Sequence, residues 1–143
     1  MSAERHVEAL QGRDSATVLE AARALKKIAE QHPEQLAPFK RKLIKAAMSE
    51  VGPFTDVRTR WQLTIVLGAL PLSGNERLAA VDWLFERLRD ESGLQRTVSM
   101  QALFDLSTSD PPLRERALTI AREFAANGTP AMRARARKLL KQS

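Results

Sequence analysis

Apolar residues recur at three- and four-residue spacing along most of the chain, which is the spacing that gives a helix one apolar face. No segment alternates apolar and polar residues with a period of two, so the pattern predicts no strand. It predicts eight short helices, over residues 3–11, 16–31, 34–49, 56–70, 76–90, 94–107, 112–126 and 130–142. The fold class expected from this pattern is all-α.

Capping and helix-breaking residues separate these segments. Asp14 or Ser15 can cap the second helix by accepting a hydrogen bond from one of its free amide groups. Pro33 ends that helix and suits the first turn of the third. Asn127 and Gly128 close the seventh helix. Such short connections are compatible with a helical bundle or with stacked helical hairpins.

The two tryptophans lie on the fourth and fifth predicted helices, and the apolar pattern of each helix indicates which side of it the tryptophan occupies. The fourth helix is apolar nearly all round, which indicates a central position and puts Trp61 in the core. The fifth helix has an apolar stripe that begins at Leu78 and ends at Leu88. Trp83 falls on the opposite side of that helix, beside Arg87. There it is either an exposed anchor for a partner or a residue packed against a neighbouring hairpin.

The even-numbered helices share a pair of apolar residues that recurs at intervals of roughly 36 to 42 residues. The pairs are Ala24-Leu25, Val66-Leu67, Ala102-Leu103 and Leu139-Leu140. Three units of similar length and a final half unit indicate an array of helical hairpins, because each hairpin exposes an apolar face that its neighbour can cover. The repeat therefore favours stacked hairpins over a bundle.

Residues 87–106 carry the most complete version of this unit. It consists of Arg87-Leu88-Arg89-Asp90 followed by Leu94, Arg96, Ala102-Leu103 and Leu106, with shorter echoes at Asp56-Val57-Arg58, Asn127 and Met132-Arg133. This pattern resembles a HEAT repeat, and the resemblance covers roughly residues 14–143. The first unit departs from it, with Val18-Leu19 where a Val-Arg pair is expected. The resemblance implies a short right-handed α-solenoid of about three to four HEAT-like hairpins, in which Asp90 and Arg96 hold the turn.

The implied organisation is a single repeat domain over residues 1–143. Its expected parts are an N-terminal capping helix, three hairpins and a C-terminal half repeat, over residues 1–13, 14–52, 53–91, 92–128 and 129–143. Both terminal helices are polar enough to cap the array, which favours a monomer.

Composition favours a soluble, non-catalytic protein of the cytoplasm. Hydrophobic residues make up 43% and charged residues 28% of the chain, which is typical of a globular protein. There is no cysteine, the two histidines lack ligand spacing, and no phosphate-binding, dinucleotide-binding or metalloprotease motif is present. We therefore expect no enzymatic activity, no cofactor and no metal site; a hidden enzyme or a lyase-like chaperone has no support beyond the repeat type. No signal peptide or membrane-spanning segment is expected either.

The net charge of +6 favours an anionic partner. In HEAT-like solenoids the second helix of each hairpin lines the inner, concave face. Basic or large apolar residues recur on these helices, namely Arg41, Lys45, Trp83, Arg87 and Arg122. The leading hypothesis is a scaffold module that binds a protein or peptide of acidic and apolar character through this face.

The alternative hypothesis is nucleic-acid binding. The last helix is strongly basic, and Arg133, Arg137 and Lys141 are its candidate phosphate contacts. The same residues suit a solubilising cap, in which late basic side chains complement the helix dipole.

Overall fold

A computed structural model describes residues 3–143, and all regular structure in that range is helical, without any strand. The all-α prediction is therefore confirmed. The eight α-helices are α1 Ala3–Ala9, α2 Ser15–Gln31, α3 Lys40–Ala47, α4 Val57–Gly68, α5 Gly74–Arg87, α6 Gly93–Leu106, α7 Pro111–Asn127 and α8 Pro130–Lys141. Two 3-10 helices, Pro33–Phe39 and Gly52–Thr55, precede α3 and α4.

Side-chain caps explain where five of these helices begin. Each capping oxygen accepts a hydrogen bond from a backbone amide in the first turn, which satisfies a donor that the helix itself leaves free. The caps are Asp14 to Thr17 at 3.0 Å, Asp56 to Arg58 at 2.9 Å, Ser92 to Gln95 at 3.1 Å, Asp110 to Leu113 at 3.2 Å and Thr129 to Met132 at 3.3 Å. Of the two cap candidates for α2, the structure selects Asp14.

The predicted third helix is divided in the structure. Its first half, Pro33–Phe39, is a 3-10 helix, and regular α-helix begins only at Lys40. Pro38 lies inside the 3-10 segment and has no amide hydrogen to donate, so it interrupts the bonding that a continuous α-helix requires. The helical periodicity of residues 34–49 was correct, but the single α-helix predicted from it was wrong.

The chain forms two compact units, residues 1–80 and residues 81–143. In the first unit α2 packs against α1 and α4, and α4 also packs against α3. Its most deeply buried apolar side chains include Val18, Ala22, Leu25, Leu36, Leu43, Leu63, Val66 and Leu67. Because α4 also buries Thr59, Gln62 and Thr64, it has the central position that its apolar sequence predicted.

In the second unit α6, α7 and α8 pack against one another pairwise. Their shared core consists of Met100, Phe104, Ala117, Ala121, Ala136 and Leu139. The small residues in this cluster let the helices approach closely, and the larger side chains fill the space between them. On α8 the buried face also includes Met132, while Arg137 and Lys141 are exposed, as the sequence predicted.

The turn between α5 and α6 is held by Asp90 and Arg96, as expected from the sequence. The Arg96 guanidinium Nη1 donates to the carbonyl oxygens of Asp90 at 2.6 Å and Glu91 at 3.2 Å. The Asp90 carboxylate accepts the Ser92 amide at 2.9 Å. Arg96 thus secures the turn through backbone carbonyls, and Asp90 secures it through the next amide.

The buried face of α5 differs from the predicted one. Leu78, the expected start of the apolar stripe, is 65% exposed, whereas Trp83 is only 8% exposed. The buried positions are Ala80, Trp83 and Leu84, so the helix is turned about its axis relative to the prediction. Burying an indole removes more apolar surface from water than burying a leucine, which favours this orientation.

Candidate functional site

The five predicted partner-binding residues are not all exposed. Arg41 and Lys45 are exposed and, four residues apart on α3, share a face of that helix. Arg122 is exposed on α7. Arg87 is half-buried and Trp83 is buried. Arg41 and Lys45 belong to the first unit and the other three residues to the second.

Trp83 and Arg87 form a contact of their own on α5. The guanidinium carbon of Arg87 lies 5.3 Å from the centroid of the Trp83 ring, within cation–π distance. The Trp83 indole Nε1 is buried and has no hydrogen-bond partner among residues 3–143. The prediction of an exposed tryptophan anchor is therefore wrong. Burial of Trp83 agrees with the other possibility that the sequence left open, a packing role.

The predicted phosphate contacts on α8 lie in different environments. Arg137 and Lys141 are exposed, while Arg133 is half-buried and its Nε has no hydrogen-bond partner within the described chain. No Asp or Glu occurs in α8, so all of the charged side chains on this helix are positive. This helix can attract an anionic surface through Arg137 and Lys141.

An apolar cleft, here called the α1–α3 cleft, lies between α1, α3 and the segment that leads to α4, and its volume is about 540 Å³. Buried Val7, Leu10 and Ala46 contribute apolar surface, and the half-buried Phe54 ring adds to it. The charged residues that line it are Lys42 and Lys45, both exposed, and no carboxylate lines it in residues 3–143. The cleft therefore combines apolar surface with positive charge.

A second recess, here called the α2–α4 groove, has a different character. It has a volume of about 440 Å³, and Trp61 contributes a half-buried indole to its lining. Lys26 lies over that ring, with its Nζ 5.4 Å from the ring centroid. Lys27 and Arg23 also line the groove. Trp61 was predicted in the core, and the structure places it at the edge of the core, only partly buried.

Two carboxylates outside the lining of these recesses have their pKa lowered by local hydrogen bonds. The side-chain hydroxyl and the amide of Thr17 both donate to Asp14 and lower its pKa. The side chain and the amide of Arg58 do the same for Asp56. Both groups cap helices, so these shifts report structural roles.

Elsewhere, desolvation raises the pKa of Asp105, although a hydrogen bond from Gln101 at 2.8 Å and the charges of Arg135 and Arg114 oppose the shift. Desolvation lowers the pKa of His6, and the charge of Arg5 acts in the same direction. Neither group is among the residues that line the two recesses.

Within residues 3–143 no three His, Cys, Asp or Glu side chains come together in a way that could hold a metal ion. Over the same range, none of the helices combines the length and the apolar character that crossing a membrane requires. Comparison with protein-family models, with curated proteins and with solved structures found no match.

Residues that sequence reasoning missed define both recesses. Lys45 was predicted, but Val7, Leu10 and Phe54 were not connected with it, because they lie on other elements. The one local signal was Val51 and Phe54, two apolar residues in a connecting segment. Val51 is 71% exposed and is one of the residues that line the cleft.

Proposed function

We propose that this protein is a non-catalytic interaction module that binds a peptide segment of acidic and apolar character in the α1–α3 cleft. The observation that carries the proposal is the lining of the cleft, where Lys42 and Lys45 flank apolar surface and no described residue contributes a carboxylate. This arrangement matches a ligand that presents an apolar side chain next to a carboxylate. Arg41, on the same helix, extends the positive charge beyond the cleft.

The two kinds of contact contribute differently to binding. Burying one leucine or phenylalanine side chain of the partner contributes about 1.5–3 kcal/mol. An exposed lysine–carboxylate pair contributes about 0.2–1 kcal/mol. Apolar burial therefore supplies most of the affinity, and the lysines act mainly on association rate and on the choice of partner.

We further propose that the helices form a short right-handed α-solenoid of HEAT-like hairpins within one repeat domain. The support comes from the recurring apolar pairs and from the turn held by Asp90 and Arg96. The capped start of α4 at Asp56, where Arg58 pairs with the same carboxylate at 2.8 Å, is a second turn of related chemistry. A solenoid of this kind acts as a scaffold in the cytoplasm, and polar end helices keep it monomeric.

The test is selection of peptides from a random display library on the purified protein, followed by calorimetry with a selected peptide. Selected sequences should be enriched in Asp or Glu next to Leu, Ile or Phe. Lys42→Glu combined with Lys45→Glu should weaken binding about tenfold, since two favourable pairs become repulsive. The matched control, Lys138→Glu with Lys141→Glu, changes the net charge equally on α8 and should leave binding unchanged.

Two outcomes would refute the assignment to the cleft. One is a selected set without acidic enrichment. The other is equal weakening by the cleft variant and the α8 variant, because this would show that net charge, not the cleft, governs binding. Arg122→Glu is a further variant to measure. If it weakens peptide binding, the result would favour the wider surface predicted from the sequence.

Nucleic-acid binding through α8 is the second candidate, favoured by the exposure of Arg137 and Lys141 on a helix without acidic residues. Duplex DNA binding that falls steeply with salt and is lost in Arg137→Glu with Lys141→Glu would support it. Unchanged binding by that variant would exclude α8 as the contact.

A further inference from the structure

The α2–α4 groove brings one aromatic ring together with several cations. Trp61 is half-buried there, with part of its ring open to the groove, and Lys26, Lys27 and Arg23 line the same recess. A partly exposed indole costs free energy in water, because its large apolar surface remains hydrated. Its position among cations makes it a surface that an anionic, flat ligand fits.

The charge of the groove is positive after its internal pairs are counted. Glu20 is the only carboxylate that lines it among residues 3–143, and Arg23 bonds to it at 2.9 Å. Lys26 lies 3.6 Å from Glu30, an exposed contact on the same helix. Lys27 is exposed and adds a further cation. Three cations are thus set against two carboxylates, which leaves a net charge of one positive unit beside the ring.

Gln62 supplies a neutral polar group in the same place. It lines the groove although the residue is only 5% exposed. Its amide has both donors and an acceptor, which suits the edge of a heterocyclic base. An indole face, an amide and ammonium groups are the three kinds of contact that a nucleotide uses: stacking, edge hydrogen bonding and phosphate pairing.

We infer that the α2–α4 groove binds single-stranded nucleic acid, with one base stacked on Trp61 and the neighbouring phosphates held by Lys26, Lys27 and Arg23. A duplex does not fit this role, because its bases are already stacked and present no free face to an indole. The volume of about 440 Å³ lies in the range of small-ligand sites, enough for one nucleotide rather than a folded domain.

Lys26 has to change partners when a base arrives. In the free protein its ammonium lies over the Trp61 ring at 5.4 Å. A stacked base replaces that contact, and stacking on an aromatic ring is stronger than a cation–π contact at an exposed site. The flexible lysine stem then lets the ammonium reach a phosphate. The exchange is therefore favourable, and the site is independent of the α1–α3 cleft.

The test uses fluorescein-labelled dT12 and rU12, and a 12-base-pair duplex for comparison, in anisotropy titrations from low to physiological salt. Trp61→Ala should weaken single-strand binding at least about fivefold, whereas Trp61→Phe keeps most of it. Two or three phosphate contacts predict a slope of about −1.4 to −2.1 in log K against log salt. Lys26→Glu with Lys27→Glu should abolish binding. Because this variant keeps Trp61, it tests the phosphate contacts separately from the ring.

Controls and a second readout keep the outcome decisive. Arg89→Glu with Lys138→Glu changes the net charge equally at exposed residues outside both recesses, and this variant should bind the oligonucleotides as the wild type does. The chain has two tryptophans, so Trp83→Phe isolates the Trp61 fluorescence, which dT12 should quench. Wild-type affinity in Trp61→Ala, tighter binding of the duplex, or no binding at low salt would each overturn the proposal. Failure here leaves peptide binding in the cleft unaffected, because the variants differ.

Discussion

Gly128 follows α7 and is required for space, not for an unusual backbone conformation. Its φ of −78° and ψ of 177° are extended values that any residue adopts. A Cβ at this position, however, would lie 2.7 Å from the Phe124 carbonyl oxygen and 2.8 Å from the Met132 Cβ. Both contacts are shorter than real Cβ atoms tolerate, and Met132 is buried, so α7 or α8 has to move.

Replacing Gly128 by alanine should therefore destabilise the protein by about 1–3 kcal/mol, the usual cost of overpacking. Gly52 provides the matched control, because its φ is +62° and no atom lies within 4 Å of the added Cβ. Gly52→Ala should cost about 1 kcal/mol through backbone strain alone. Asparagine tolerates positive φ, so Gly52→Asn should cost less than Gly52→Ala, whereas Gly128→Asn should be at least as harmful as Gly128→Ala.

The measurement is urea unfolding followed by circular dichroism, with stability taken from the midpoint and slope for all four variants. Asparagine should be less destabilising than alanine at position 52 but at least as destabilising as alanine at position 128. If Gly128→Ala lies within about 0.5 kcal/mol of the wild type, the range typical of surface substitutions, the close approach of α7 to α8 is wrong.

Three further predictions concern pH, the α5–α6 turn and the face of α5. Because the pKa values of Asp14 and Asp56 are lowered in the folded protein, the stability that these carboxylates contribute is present above the ordinary aspartate pKa and is lost as pH falls below about 4. The urea midpoint should therefore fall less steeply with decreasing pH in Asp14→Asn with Asp56→Asn than in the wild type. Arg96→Ala removes hydrogen bonds to two carbonyls of its turn and should cost about 1–3 kcal/mol in urea unfolding; a cost as small as that of a surface substitution would contradict this role. Leu78→Gln should stay within about 0.5 kcal/mol of the wild type, whereas Trp83→Ala should cost about 3–5 kcal/mol; thermal unfolding that shows the reverse order would restore the stripe predicted from sequence.

Local signals explain what the sequence could predict about the fold. Helix starts and ends depend on residues close in the chain, and Asp14, Asp56 and Pro33 act within a few positions of themselves. Eight helices could therefore be placed from periodicity and caps. The division of the third helix was missed because Pro38 lies among residues with correct helical spacing.

The environments of the two tryptophans could not be predicted, because they depend on helices distant in the chain. Trp61 lies in an apolar helix, yet part of its ring remains open where α2 contributes lysines instead of apolar residues. Trp83 lies among charged residues, yet α5 is turned to bury it. A helical wheel ranks faces by composition and cannot show which face a neighbour covers.

The candidate sites follow the same division. Lys45 was found because basic residues recur at regular spacing on a helix. Its apolar neighbours Val7 and Phe54 come from separate elements, and only the folded chain brings them into one cleft. A periodic pattern can therefore nominate a charged residue, but not the surface that makes it selective.

Four aromatic rings of the protein each carry a cation over the face. The pairs are Lys26 on Trp61, Arg87 on Trp83, Arg114 on Phe104 and Arg116 on Phe85. Long basic side chains can cover apolar surface with their stems and keep their charge in water. These basic side chains therefore cover apolar ring surface that would otherwise contact water and favour association with other molecules. Neutralising these four basic side chains should therefore lower the solubility of the protein, although it also brings the net charge closer to that of an ordinary soluble protein.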